Sequence, residues 1–142
     1  MAKQDQFLDV LLHLMRDLRR SYDRQAQAVG LTLSRARALT TLARNEGATQ
    51  AELAALLDIE PPTLKRQVDA LVADGFVERR PLEGDARKSA LFLTERGRDS
   101  AIVDFTQRLR RELLADIPAG DLQAAGTVLD RLAQNVSRLD RA

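Results

Sequence analysis

The strongest constraint on this chain lies between Thr49 and Gly75, where signals for starting and stopping a helix follow one another closely. Thr49-Gln50-Ala51-Glu52 has the Thr-x-x-Glu form of a capping box, which satisfies N–H groups that have no partner within the first turn. Leu53, Leu56 and Leu57 follow, enough for a short helix before Asp58-Ile59-Glu60 interrupts it. Pro61 and Pro62 suit the first turn of a new helix, because the N–H that proline lacks would be unpaired there anyway. In this second helix Leu64, Val68, Leu71 and Val72 fall within about 100° of one another. Pro62, Thr63, Arg66, Asp69 and Ala70 are left on the opposite side, and Asp74-Gly75 closes the helix.

The flanking segments are also helical. From Gln6 to about Ala28, Phe7, Leu8, Leu11, Leu12, Met15, Leu18 and Tyr22 recur at three- and four-residue steps. A helix of that length measures roughly 35 Å, more than the core of one domain of 142 residues covers, so part of its face is expected to meet another chain. Thr32 is placed to cap a helix carrying Leu39 and Leu42 inward, ending at Asn45-Glu46-Gly47. After Gly75, Phe76–Arg80 and Ser89–Leu93 read as two strands around a long polar tip, Pro81 to Lys88. Thr94 is expected to cap one continuous helix with Ala101, Ile102, Phe105, Leu109 and Leu113 on one side, stopping near Asp116-Ile117-Pro118. A last helix runs from about Ala119 or Asp121 to Leu139, with Leu122, Ala125, Leu129, Leu132, Val136 and Leu139 expected inward. The fold class is therefore mostly α: a helix-turn-helix, a two-stranded β-wing after its second helix, and long helices at both ends.

Composition narrows the chemistry. The absence of cysteine excludes disulfides, thiolate metal sites and thiol redox switches, and one histidine leaves little for metal binding or general-base catalysis. The chain carries no Gly-rich phosphate loop and no metal-ligand cluster, so neither an enzyme nor a bound cofactor or metal is expected. No apolar run approaches the roughly 18 to 20 residues of a membrane span and the N-terminus carries no signal pattern, so a soluble, cytoplasmic protein without a membrane partner is expected. Charge is uninformative as a total, with 22 basic and 21 acidic residues. Any nucleic-acid partner must be read from position rather than net charge.

Position does point to DNA. Arg66 lies one turn into the second helix of the pair on its outer face, where a guanidinium can bond two acceptors of guanine or a phosphate. Thr63 and Pro62 precede it and are placed for base edges or a thymine methyl; Lys65, more to the side, suits a phosphate. Thr49, Gln50 and the free N–H groups beside them suit another phosphate. In the wing, Arg87 and Lys88 sit beside the tip, where arginine can enter a narrow minor groove, while Arg79 and Arg80 at the base are candidates for backbone contacts. Each of these cations could instead be a solvated surface residue, and Arg87 could simply pair with Asp85. Asp69, Glu83 and Asp85 lie close to the same surface, which implies modest non-specific affinity and greater dependence on operator match.

With these residues in view, the sequence resembles the MarR family of winged helix-turn-helix transcription regulators. The resemblance rests on Gly30-Leu31-Thr32, Thr49-Gln50-Ala51-Glu52-Leu53-Ala54, the run from Pro62 to Leu71, Asp74-Gly75-Phe76-Val77-Glu78-Arg79, Asp85-Ala86-Arg87-Lys88 and Leu93-Thr94-Glu95-Arg96-Gly97. Glu60-Pro61-Pro62-Thr63-Leu64 is most similar to the SlyA-like branch. The resemblance implies a single domain over 1–142, with a DNA-binding lobe at about 31–97 and dimerisation helices at about 5–29 and 95–141. It further implies a homodimer on a pseudo-palindromic operator in double-stranded DNA, acting as a repressor, with Thr63 and Arg66 in the major groove, Arg87 in the minor groove and Asp85 shaping the wing.

Relatives in that family often bind small phenolic or carboxylate effectors between the dimer base and the DNA-binding lobe. His13, Arg16 and Arg19 on the first helix and Arg35 or Arg37 on the second lie in the matching region, either to hold an effector carboxylate or to form ion pairs between helices or subunits. Ala36 stands where the family often carries an aromatic residue, which counts against a stacking pocket. From another functional class, a winged-helix interaction module without DNA binding remains the alternative; a flat dependence of binding on salt would favour it.

Overall fold

The computed structural model describes residues 3–142, apart from the side chains of Gln4 and Ala86. In chain order the elements are α1 (Lys3–Ala28), α2 (Leu33–Ala43), α3 (Gln50–Leu57), α4 (Pro61–Ala73), β1 (Val77–Leu82), β2 (Asp85–Leu93), α5 (Glu95–Arg98), α6 (Ala101–Leu114) and α7 (Ala119–Asp140). The backbone divides into two compact units, one ending at Gln107 and the other running from Arg108 to Ala142. Among the described residues no helix is long and apolar enough to cross a membrane.

In the first unit α2, α3 and α4 pack together around Leu39, Leu42, Leu53, Leu64, Val68 and Leu71, all essentially buried. The core continues into the hairpin through Leu91 and Leu93 and into α6 through Ile102 and Val103. Local chemistry starts the helices where expected: the Thr32 hydroxyl accepts the Arg35 N–H and the Thr49 hydroxyl accepts the Glu52 N–H. The turn between α3 and α4 depends on Asp58, which adopts the left-handed conformation at φ 54° and ends α3. Aspartate tolerates that region better than most side chains. Pro61 then begins α4 without a side-chain cap, and Leu64, Val68 and Leu71 point into the core.

The wing differs from the long polar tip expected for Pro81 to Lys88. β1 runs through Pro81 to Leu82, β2 begins at Asp85, and only Glu83-Gly84 connects them, with Gly84 at φ 85°. Pro81 is tolerated because a two-stranded ribbon has free edges where the missing N–H breaks no ladder bond. The register jumps from Pro81 opposite Ser89 to Leu82 opposite Asp85, so β2 bulges between them, and Arg87 and Lys88 lie in the bulge. A further segment joins the sheet: Gly47 donates its N–H to the Leu91 carbonyl at 2.8 Å, Leu91 returns one to Ala48 at 2.8 Å, and Thr49 bridges Ala90. The start of α3 is thereby tied to the wing.

The continuous helix expected after Thr94 is broken into α5 and α6. Ser100 causes the break: its buried hydroxyl donates to the Gly97 carbonyl at 2.8 Å, and its N–H reaches the same oxygen, so the regular helical bond is lost there. One other expectation changes. Leu129, Val136 and Leu139 of α7 are exposed rather than inward, Leu139 by 74%, and α7 has no buried residue. On α1, part of whose face is expected to meet another chain, Phe7, Leu8, Leu12 and Met15 are exposed, Met15 by 56%. Periodicity had identified apolar faces, but it carries no information on what covers them.

Gly97 is sterically required. A methyl group there would stand 2.2 Å from the Phe76 carbonyl oxygen, a backbone atom that cannot swing aside. Gly97→Ala is expected to destabilise the protein by about 1–3 kcal/mol, the usual cost of overpacking. Urea unfolding followed by circular dichroism checks this, and an unchanged midpoint would contradict it.

Candidate nucleic-acid interface

One face of the first unit gathers α3, α4 and the wing around an open recess of about 430 Å³. Thr49, Gln50 and Ala51 supply its edge from the start of α3, Lys65 and Asp69 come from α4, Arg79 from β1, and Arg87, Lys88 and Ser89 from β2. Thr49 places the free N–H groups of the α3 N-terminus at this edge, where the helix dipole favours an anion. Arg87 is positioned by its own backbone: its N–H donates to Asp85 Oδ1 at 3.0 Å. Its guanidinium and the Lys88 ammonium form no ion pair among the described residues.

Other cations are engaged within the fold. Arg79 donates Nε and Nη2 to Gln50 Oε1 at 3.1 and 2.9 Å, and Nη2 also pairs with Asp69 Oδ1. The second oxygen of Asp69 accepts Lys65 Nζ at 2.9 Å. Hydrogen bonds from Lys65 and then Arg79 hold the Asp69 carboxyl below the usual carboxylate range, so this pairing is complete at neutral pH. Arg80 turns away from the recess, pairing with Glu78 and lying 4.0 Å over the Phe92 ring. Sequence reading had placed Asp69 only near this surface. Its two partners lie four and ten residues along the chain, and the more distant one is invisible to helical periodicity.

Pro62 and Arg66 lie on the exposed side of α4, outside the recess lining. Arg66 makes one long contact of 3.5 Å with the Thr63 hydroxyl. Thr63 instead borders a small cleft of about 80 Å³ with Ser34, Arg37, Leu57, Ile59 and Gln67.

Among the candidate effector residues, His13 lies 3.4 Å from Asp17 on the exposed face of α1, and the described cavity that Arg19 borders is lined by neither it, Arg16 nor Arg35. Arg19 does border a cavity of about 340 Å³, together with Leu18, Tyr22, Leu33 and Arg37. Tyr22 was read from the sequence only as part of the apolar face of α1. Its spacing of three residues from Arg19 was the available signal, since such residues adjoin on a helix. Its hydroxyl bonds Thr40 Oγ1 at 2.6 Å, and burial raises its pKa against the opposing effects of that bond and Arg37.

Comparison with known proteins agrees with this architecture. Residues 29–88 match the sequence profile of the MarR family. A helix-turn-helix transcriptional regulator of Mycobacterium leprae is 36% identical over 109 residues, covering 76% of this chain and 73% of that protein. One of Mycobacterium tuberculosis is 39% identical over 87 residues, covering 61% of this chain; the match spans only 59% of that relative's length. A MepR mutant of S. aureus, solved bound to an oligodeoxyribonucleotide, superposes with a TM-score of 0.63 at 16% identity, covering 92% of this chain and 97% of that one. The chain belongs to the MarR family.

Tyr22 is the only tyrosine and there is no tryptophan, so its ionisation is directly visible in the ultraviolet. It should titrate above the ordinary value near 10. Because the folded pKa is the raised one, its ionisation leaves stability untouched below the unfolded pKa and removes stability as pH rises through the folded value. A titration of absorbance at 295 nm reads this out, and a Tyr22 midpoint at or below that of the unfolded chain would contradict it.

Proposed function

We propose that this protein is a sequence-specific DNA-binding transcriptional regulator that acts as a homodimeric repressor on a pseudo-palindromic operator. The observation that carries the reading is the convergence of the α3 N-terminus, the outer face of α4 and the bulged wing on one side of one lobe. In this reading α4 enters the major groove, with Arg66, Thr63 and Pro62 toward base edges. Thr49, Gln50 and Lys65 face phosphates at the groove edge. The bulge carries Arg87 toward the minor groove with Asp85 fixing its backbone, and Lys88 beside it meets phosphate. Arg79 supports the surface from within rather than binding phosphate freely, since Gln50 and Asp69 occupy its donors. The oligonucleotide-bound MepR neighbour supports this docking by analogy of fold.

A second copy supplies what one chain lacks. α1 and α7 each expose apolar residues of the kind that homodimers bury, and two lobes on one face of B-DNA need half-sites about 10 base pairs apart. Bound across a promoter, such a dimer excludes polymerase. The cavity bordered by Arg19, Tyr22 and Arg37 fits a small aromatic carboxylate, with guanidinium groups for the carboxylate and Leu18 and Leu33 for the ring. Release follows if the effector favours a lobe spacing that no longer matches the two half-sites.

Selection of bound duplexes from a random pool tests binding, symmetry and spacing together. It should return an inverted repeat with the stated spacing; a pool without enrichment would refute the reading. Arg66→Ala should lose about 1–3 kcal/mol of discrimination at one base of each half-site. Equal weakening on every sequence would restrict Arg66 to phosphate. Arg87→Ala should weaken binding most where the flanks are A/T-rich, and flank-independent affinity would remove the wing from the minor groove.

A further inference from the structure

The recess at the centre of this face contains four cationic side chains, Lys65, Arg79, Arg87 and Lys88, and one carboxylate, Asp69. That carboxylate lines the recess and is solvent-accessible, its side chain 45% exposed, with one oxygen on Lys65 and the other on Arg79. We propose that Asp69 is a specificity-determining residue that holds Lys65 and Arg79 in internal pairs, so that the lobe discriminates against DNA whose shape and bases do not match. The inference rests on the DNA-binding reading and concerns how the same surface rejects the wrong duplex.

The electrostatics follow from the geometry. Lys65, 63% exposed, is the most accessible of the paired cations, and a phosphate can engage it fully only by displacing or sharing it with Asp69. A phosphate drawn into the recess also meets the Asp69 charge at close range. On a mismatched duplex phosphate attraction is the main source of affinity, so this penalty is felt in full, whereas on a matched site base contacts from α4 hold the lobe in a register where a phosphate shares Lys65 with Asp69 rather than displacing it, and the penalty is smaller. Arg79 plays a different part: held by Asp69 and by Gln50, it links α4, the start of α3 and β1, and it consumes the Gln50 carbonyl oxygen. The Gln50 amide NH2 is left as the group able to meet a phosphate. One carboxylate thus both suppresses non-specific attraction and orders the groups around it. This explains how a chain with a net charge of only +1 can present a nucleic-acid surface without indiscriminate binding.

Asp69→Asn tests the proposal, because asparagine keeps the shape and an oxygen for Arg79 while removing the charge. Affinity for random-sequence duplex and for the selected operator is measured by fluorescence anisotropy from 50 to 200 mM salt. Freeing one lysine per lobe adds about two phosphate contacts per dimer, so the loss of affinity across that range should be about tenfold greater than in wild type. Affinity for random duplex should rise more than affinity for the operator, so discrimination falls. Lys65→Met introduced into the Asp69→Asn protein should abolish the gain, and thermal unfolding verifies that each variant is folded. An unchanged salt slope, or weaker binding to both duplexes by a folded variant, would overturn the role of Asp69. Absence of salt-dependent binding by the wild-type protein would instead overturn the DNA-binding reading beneath it.

Discussion

The arrangement of the candidate interface depends on the short segment Gly47–Thr49 pairing with β2. A two-stranded hairpin alone is marginal in water, so the wing needs an external anchor to hold a defined direction. The exchange of hydrogen bonds between Leu91 and the Gly47-Ala48 segment provides one, and Glu46 adds another by accepting the Leu93 N–H at 2.8 Å. The same segment ends at Thr49, the cap of α3. A single stretch of backbone therefore fixes where the wing sits and where the α3 N-terminus begins. Arg79 extends the connection to α4 through side chains, so three elements from separate parts of the chain share one surface.

Charge acquires its meaning through this framework. The whole sequence is nearly neutral, yet the recess carries more cationic than anionic side chains. Other pairs lie elsewhere, including Arg98 with Glu46, where solvent-exposed ion pairs contribute little to stability. What distinguishes the recess is the placement of its cations on elements whose directions are already set. Within it, Asp69 pairs with Lys65 and Arg79, whereas Arg87 and Lys88 stand in the bulged wing.

Much of the fold was legible because its signals are local. The Thr32 and Thr49 caps, the prolines opening α4 and the core stripe of Leu64, Val68 and Leu71 all act within a few residues. The features missed arise from contacts between distant segments or from a single competing hydrogen bond. The Gly47–Thr49 pairing with β2 and the Arg79–Gln50 contact leave no periodic trace, and Ser100 breaks the helix in a sequence that otherwise reads as continuous. The candidate effector residues show the same limit: helix spacing alone does not establish which side chains converge, and the cavity that Arg19 borders is shared with Tyr22 and Arg37.

The central claim is that α4 and the bulged wing engage adjacent grooves of one duplex, twice per dimer. Hydroxyl-radical footprinting on a selected operator tests it most directly, because cleavage reports protection of each sugar along both strands. The account predicts two equivalent protected patches on one face of the duplex, centred about 10 base pairs apart, each flanked by minor-groove protection that disappears with Arg87→Ala. A single unbroken patch, or flanking protection that survives the loss of Arg87, would contradict it.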